Sequence, residues 1–178
     1  MITKDLILKP VFDRKQCRQI ADGHTVVMHC HHFATLTTRL ANECSMLNAR
    51  ELLAQCSEDV FYKVLGDYCR KHNVSGLRER VEIAESYFAE SGLGKLVVKC
   101  AGWNTGEVVL EHSHVDEGWI KKWGKSDSPV NHIGRGYIVA MFSVIFDRPP
   151  RTYAAKEQQS IACGADVSII TVTDAVNL

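Results

Sequence analysis

The sequence predicts an α+β fold: an antiparallel β-sheet with helices packed on one side, preceded by a mainly helical N-terminal half. Three observations predict it. Apolar residues recur at steps of three and four through much of residues 30–94. From Lys95 onward the apolar residues alternate instead. One strongly apolar run, Val130 to Phe146, is cut off by Pro149-Pro150 and followed by two more alternating runs.

Thr25–Met28 (TVVM) reads as a short strand or as the lead into a helix. From Cys30 to Leu47, the residues Phe33, Leu36, Leu40, Cys44 and Leu47 mark one helical face. Asn48 with Glu51 has the pattern of a capping box, so a helix is expected to start there. Ser57 followed by Glu58 and Asp59 is a second start signal, because acids in a first turn complement the helix dipole. Val60, Val64 and Leu65 carry the apolar stripe on toward Cys69. A further helix from Leu77, with Val81, Ala84 and Phe88 on one face, is expected to stop at Gly92 or Gly94.

Leu96, Val98 and Cys100, a turn at Asn104-Thr105-Gly106, and then Val108, Leu110, His112 and His114 read as a hairpin with both histidines on its apolar face. A short helix is expected over Asp116–Trp123. In Val130–Phe146 the stripe is Val130, Ile133, Tyr137, Met141, Val144 and Ile145. Strands over Thr152–Gln159 and Val167–Val172, around a turn with Gly164, close the chain.

A length of 178 residues suits a single domain over 1–178, with a helical half at 1–94 and sheet plus core helix at 95–178. Hydrophobic residues at 46% and charged residues at 24% fit a globular protein. A net charge of zero argues against a nucleic-acid partner, which requires a basic face to replace counterions, and gives no reason to expect an anionic membrane. No run approaches the roughly 20 apolar residues of a membrane span, and MITKDLILKPVFDRK holds no signal-peptide core. Seven cysteines without a CxxC pair read as reduced thiols, with Cys56 and Cys69 half-buried, and place the chain in the cytoplasm.

The run PVNHIGRGYIVAMFSVIF, then a strand, then EQQSIACGADVSIITV, resembles the closing part of the 4-vinyl reductase domain. That domain is named from bacteriochlorophyll biosynthesis and also serves as the effector-sensing domain of phenol-responsive transcription activators. A related fold occurs in TRAPP vesicle-tethering subunits, and amino-thiazoline-carboxylate hydrolases end in a similar strand pair. The resemblance is good over Val130–Val172, loose over Leu96–Trp123, and rests on element order before that. It implies a ligand-sensing domain that pairs as a homodimer. In the sensor members a Glu and two Cys help hold zinc. Glu157 and Gly164 match that pattern, but Ser160 and Ser168 stand at the cysteine positions. A serine hydroxyl is a poor ligand for a borderline-soft ion, so the family's zinc site is expected to be absent.

Several constellations could carry chemistry. His29-Cys30-His31-His32, with His24 upstream, offers imidazoles and a thiol at a strand-to-helix junction; the competing reading is a chance polar cluster there. His112 and His114 form a two-ligand strand pattern, unless the strand frays before His114. His132 opens the glycine-bearing helix as a general acid or base, or as an ordinary helix-start residue. Gly134 and Gly136 weaken that helix by about 1 kcal/mol each relative to alanine, which calls for close approach of a backbone or a ligand. Arg135 suits a carboxylate or phosphate, the competing reading being a solvated surface residue, and Trp103, Trp119, Trp123 and Tyr137 suit a flat organic compound beside histidines, with core or dimer interface the default for Trp123.

These readings converge on a small-molecule-binding or sensing domain with an apolar, histidine-lined pocket. His29, His32, Trp103, His112, His114, Arg135 and Tyr137 are its expected ligand-binding residues. The alternative is a small enzyme, a metal- or cysteine-assisted hydrolase or reductase, with Cys30 and His132 catalytic. Should a transition metal be present, zinc or iron, its expected ligands are His29, His32, His112 and His114.

Overall fold

A computed structural model describes residues 9–27 and 29–175. Residues 1–8 and the end of the TVVM run at Met28 therefore lie outside the described residues. The chain opens with a three-stranded antiparallel meander, β1 (Val11–Asp13), β2 (Arg18–Ala21) and β3 (His24–Val26). Of these, the sequence pattern indicates only β3. A further signal is present in Asp22-Gly23: with Ala21 paired to His24, these two residues form a tight turn at φ 47° and 90°, the backbone that Asp-Gly favours in hairpins. The turn is tied to helix α2 (Ala49–Lys71), whose Lys71 and the following His72 both reach Asp22, while His24 pairs with Asp67 at 3.4 Å.

Helix α1 (His31–Glu43) forms where expected but ends before Cys44, and its predicted core stripe faces outward. Phe33 is 62% exposed, Leu36 47% and Leu40 53%. The buried side is Ala34, Thr35, Thr38 and Ala41. Small residues there let α1 approach helix α4 (His114–Trp123) at Gly118, where a Cβ would lie 2.9 Å from the His31 Cβ and 3.0 Å from the Thr35 methyl. The threonine hydroxyls are bonded within α1, Thr35 to the His32 carbonyl at 3.1 Å and Thr38 to the Ala34 carbonyl at 2.9 Å, so their burial leaves no hydroxyl unpaired.

A 3-10 turn (Ser45–Leu47) leads to Asn48, which takes a left-handed backbone and makes no side-chain cap. The capping box is not formed, and Glu51 is drawn to Arg135 at 2.8 Å. Helix α2 then runs unbroken through Ser57-Glu58-Asp59. These residues make tertiary contacts and do not start a second helix. Ser57 donates to the Ile133 carbonyl at 2.8 Å, the buried Glu58 accepts from the backbone N–H and the guanidinium of Arg151, both at 2.6 Å, and Asp59 pairs with Arg151 at 3.0 Å.

Helix α3 (Leu77–Glu90) leads to the sheet: β4 (Gly94–Ala101), β5 (Thr105–Ser113), β6 (Tyr153–Gln159) and β7 (Ser168–Asp174), in the order β4-β5-β7-β6 and antiparallel throughout. Leu96, Val108, Leu110, Ile170 and Val172 face the helices, and Val97, Val109, Ile169 and Thr171 on the other face are partly exposed.

Helix α5 (His132–Ile145) is the spine of the core: all its residues but Ile133 and Arg135 are buried. Asn131 caps it, accepting from the Gly134 N–H at 2.7 Å. Gly136 supplies the close backbone approach that its sequence called for. A Cβ there would run into the Ala54 carbonyl of α2 and lie 2.7 Å from the Ser57 Cβ. A second, smaller apolar cluster joins Trp119, Val130 and Ala162, with Trp123 packed against it. All seven cysteines are free, and only Cys69 is buried; Cys56 is exposed, since its side of α2 faces outward. Among the described residues no helix is long and apolar enough to cross a membrane.

Gly136→Ala is expected to lower stability by about 1–3 kcal/mol through overpacking, read as a drop in the urea midpoint or Tm. An unchanged or raised midpoint would contradict the contact with α2.

Candidate ligand site at the α1–α4 corner

The strand–helix junctions at the starts of α1 and α4 bring one set of predicted residues together. Cys30 is the N-cap of α1, and His114 is the first residue of α4, directly after β5. The ring of His114 lies 5.6 Å from that of His29 and 6.2 Å from that of His31, and His31 lies 4.2 Å from His32. The Cys30 sulfur is 4.0 Å from the Nδ1 of His32. His29, Cys30 and His32 are exposed, and His31 and His114 are partly buried. The Nε2 atoms of both His31 and His114 are buried with no hydrogen-bond partner among the described residues.

Electrostatics keeps this pair neutral. Burial, and then the neighbouring His32, pull His31 below the usual histidine range. Burial, and then His29, do the same to His114, against the opposing influence of the Cys30 carbonyl. Cys30 moves in the direction of reactivity: the backbone N–H groups of Phe33 and His32 at the open end of α1 lower its thiol.

The other predicted residues lie elsewhere. His112 does not share the inward face, because the register of β4 and β5 slips between Lys95↔His112 and Leu96↔Leu110, leaving Glu111 as the extra residue of a bulge. The alternation inverts there, so that Ser113 is buried and His112 is exposed beside Glu117 at 3.3 Å. The four predicted metal ligands are thus split, and among the described residues no group of three or more His, Cys, Asp or Glu could hold a metal ion. His132 donates from Nε2 to the Asn42 side-chain oxygen at 2.8 Å, roughly 16 Å down α1 from His31 at ~1.5 Å per residue. Its burial, then the nearby Arg135 and Arg50, lower it to about 4. Tyr137 is fully buried, donates to the Ala84 carbonyl at 2.6 Å, and packs edge-on against Phe61 and Phe88. Trp103, in the β4–β5 turn, stacks with Arg148 at 5.0 Å. It stands at the far end of β5 from His114, and β5 alone is about 26 Å long at ~3.3 Å per residue.

A separate cleft of about 430 Å³ lies where α2 and α5 end and α3 begins, lined by Tyr62, Cys69, Arg80, Ser143 and Asp147 among others, and by none of the predicted residues. Arg80 is engaged there in closing α5, donating to the carbonyls of Val144 at 2.8 Å and Ile145 at 3.2 Å.

The positions that the family pattern assigns to zinc form a second polar centre. Glu157 lies among Ser160, Ser168 and the fully buried Asp116 of α4. Asp116 accepts from the Ser113 hydroxyl and from the Asn131 amide at 2.8 Å, and Asn131 also donates to the Ser113 oxygen at 2.9 Å. The Ser168 oxygen accepts from the Ile161 N–H at 2.9 Å. Glu157, Ser160 and Ser168 include no thiolate, and burial raises the one thiol in the neighbourhood, Cys163. This donor set does not suit zinc.

No protein-family model and no curated protein sequence matches the chain. Solved structures do. The phenol-responsive sensory domain of the transcription activator PoxR, determined with phenol, superposes with a TM-score of 0.76 at 15% identity, covering 93% of this chain and 84% of that one. The chain shares that fold. Trafficking protein particle complex subunit 3 from Naegleria fowleri, covalently bound to palmitic acid, gives a TM-score of 0.54 at 13% identity, covering 81% of this chain and 93% of that one.

Proposed function

We propose that the chain is a small-molecule-binding domain of the sensing kind, and that its ligand is a compact aromatic or hydroxyl-bearing compound held against His31 and His114. The observation that carries this reading is the pair of neutral imidazoles whose buried Nε2 atoms have no partner among the described residues. Buried polar groups are almost always hydrogen-bonded, and each one left unpaired costs about 1–3 kcal/mol. A ligand hydroxyl supplies the missing bonds, since a neutral imidazole nitrogen donates or accepts according to tautomer. His29 and Phe33, 5.9 Å apart, form the exposed rim that has to move to admit it. The shared fold with a phenol-responsive domain supports the ligand class.

A homodimer belongs to this reading. The outward stripe of Phe33, Leu36 and Leu40 continues through Leu47, and an apolar patch of this kind marks an interaction surface. A reducing, cytoplasmic setting fits six exposed free thiols. The enzyme reading keeps one specific support, the lowered, exposed thiol of Cys30 beside His32; in that case Cys30 is the nucleophile and one of the corner histidines the base.

Phenol and substituted phenols are expected to raise the Tm of the wild-type protein, and His31→Ala and His114→Ala to weaken binding at least about tenfold, the equivalent of one lost hydrogen bond, with His112→Ala binding as wild type. No Tm shift with any compound of a broad aromatic set would defeat the sensing reading, and turnover lost in Cys30→Ser with binding retained would select the enzyme. Light scattering is expected to show a dimer that Leu36→Glu with Leu40→Glu converts to monomer; a monomeric wild type would remove the dimer.

A further inference from the structure

The cleft where α2 and α5 end and α3 begins holds a cation that its surroundings neutralise only weakly. The Arg80 side chain is 14% exposed, while Asp147, the one carboxylate it pairs with among the described residues, lies 2.8 Å away and is 79% exposed. An ion pair open to water on one side is weak, whereas a guanidinium withdrawn from water needs both charge and hydrogen bonds returned to it. Arg80 has its side-chain bonds on one nitrogen alone. Nη1 reaches the Val144 and Ile145 carbonyls at 2.8 and 3.2 Å, and Asp147 as well. Nε is buried and has no partner among the described residues.

A second unpaired group stands in the same wall. Ser143 of α5 lines the cleft, is fully buried, and its hydroxyl oxygen has no partner among the described residues. Arg80 is bonded to the carbonyl of the next residue, Val144, so guanidinium and hydroxyl belong to one part of the wall. Neither atom meets bulk water, and buried polar groups are rarely left unpaired. What pairs with them has to enter the cleft, whose volume of about 430 Å³ is that of a small-molecule pocket.

We propose that this cleft is a second ligand site, separate from the α1–α4 corner, and that it takes a small organic carboxylate bound to Arg80 and Ser143. The two N–H bonds on the Nε–Nη2 edge of a guanidinium run in parallel at the spacing of two carboxylate oxygens. In Arg80 that edge is left over once Nη1 has closed α5. The Ser143 hydroxyl donates to the same carboxylate, and Tyr62, Val74 and Val144 supply apolar wall for the rest of the acid. The site shares no residue with the corner.

The charges select a monoanion. Arg70 and Arg80 line the cleft against the single acid Asp147, one positive charge in excess. Arg70 is also paired with Asp67, and Glu79 adds negative charge nearby, so the excess is not larger than that. A phosphate dianion would overfill this balance and meet Asp147, whereas one carboxylate completes it.

Titration of the protein with acetate, benzoate, benzamide and inorganic phosphate, followed at the Arg80 Nε–H signal in ¹H–¹⁵N spectra, tests the proposal. A saturable shift with acetate or benzoate is expected, with no shift from the uncharged benzamide and weaker binding of phosphate. Arg80→Lys, which keeps the charge but not the paired N–H edge, is expected to weaken binding of that acid at least about tenfold, as is Ser143→Ala, the equivalent of one hydrogen bond to a charged group. Ser143→Ala covers the case of an Arg80 variant that does not fold: it removes only an unpaired hydroxyl, so without acid its Tm is expected to equal or exceed that of the wild type. No saturable shift with either acid would overturn the proposal. So would benzamide binding as benzoate does, phosphate binding as tightly as the better acid, or Ser143→Ala lowering the Tm while leaving affinity for the acid unchanged.

Discussion

The approach of α5 to α2 sets the rest of the structure. With twelve of its fourteen residues buried, α5 has almost no face left for water, so its position is determined by what it touches on every side. Gly136 lets it lie against the Ala54 carbonyl of α2, and the Ser57 hydroxyl bridges the two helices at Ile133. Tyr137, Met141 and Phe142 then fill the space over Leu96, Val108, Ile170 and Val172, which places the sheet. Past the proline pair, Arg151 returns to Glu58 on the same helix α2, so both ends of α5 are referred to one partner.

Much of this is legible in the sequence because apolar periodicity reports burial where an element has one dry face. The Leu77 helix, the β4–β5 hairpin up to its bulge and the closing strand pair obey it, whereas α5, read as a stripe, is buried on nearly every side. The departures have physical causes of their own. The apolar stripe of α1 is a sound helix signal but a poor guide to which side is buried, because the small face of Ala34, Thr35, Thr38 and Ala41 packs closer to Gly118 than leucines would allow. The bulge at Glu111 reverses the facing of His112, which strict alternation cannot foresee. Ser57, Glu58 and Asp59 resemble a helix start because groups that satisfy a helix terminus serve equally well against a distant carbonyl or an arginine.

The site is legible in its pieces and not in its assembly. The histidine run and His114 do meet, across the crossing of α1 and α4. Yet His31, absent from the expected ligand-binding residues, proves to be one of the two corner histidines with a buried ring nitrogen, and Asp116, expected only as the start of a short helix, is fully buried. No periodic signal announces a carboxylate whose partners come from other elements. The two polar centres are linked through the first turn of α4: His114 opens it, and Asp116, capped with Ser113, anchors it.

Long-range ¹H–¹⁵N NMR of the histidine side chains at pH 7, with and without phenol, tests the central claim most directly. Neutral rings for His31 and His114, with Nε2 signals that move on adding phenol while those of His132 stay in place, are the predicted result. Charged rings at both positions, or signals indifferent to phenol and to its substituted analogues, would contradict the account.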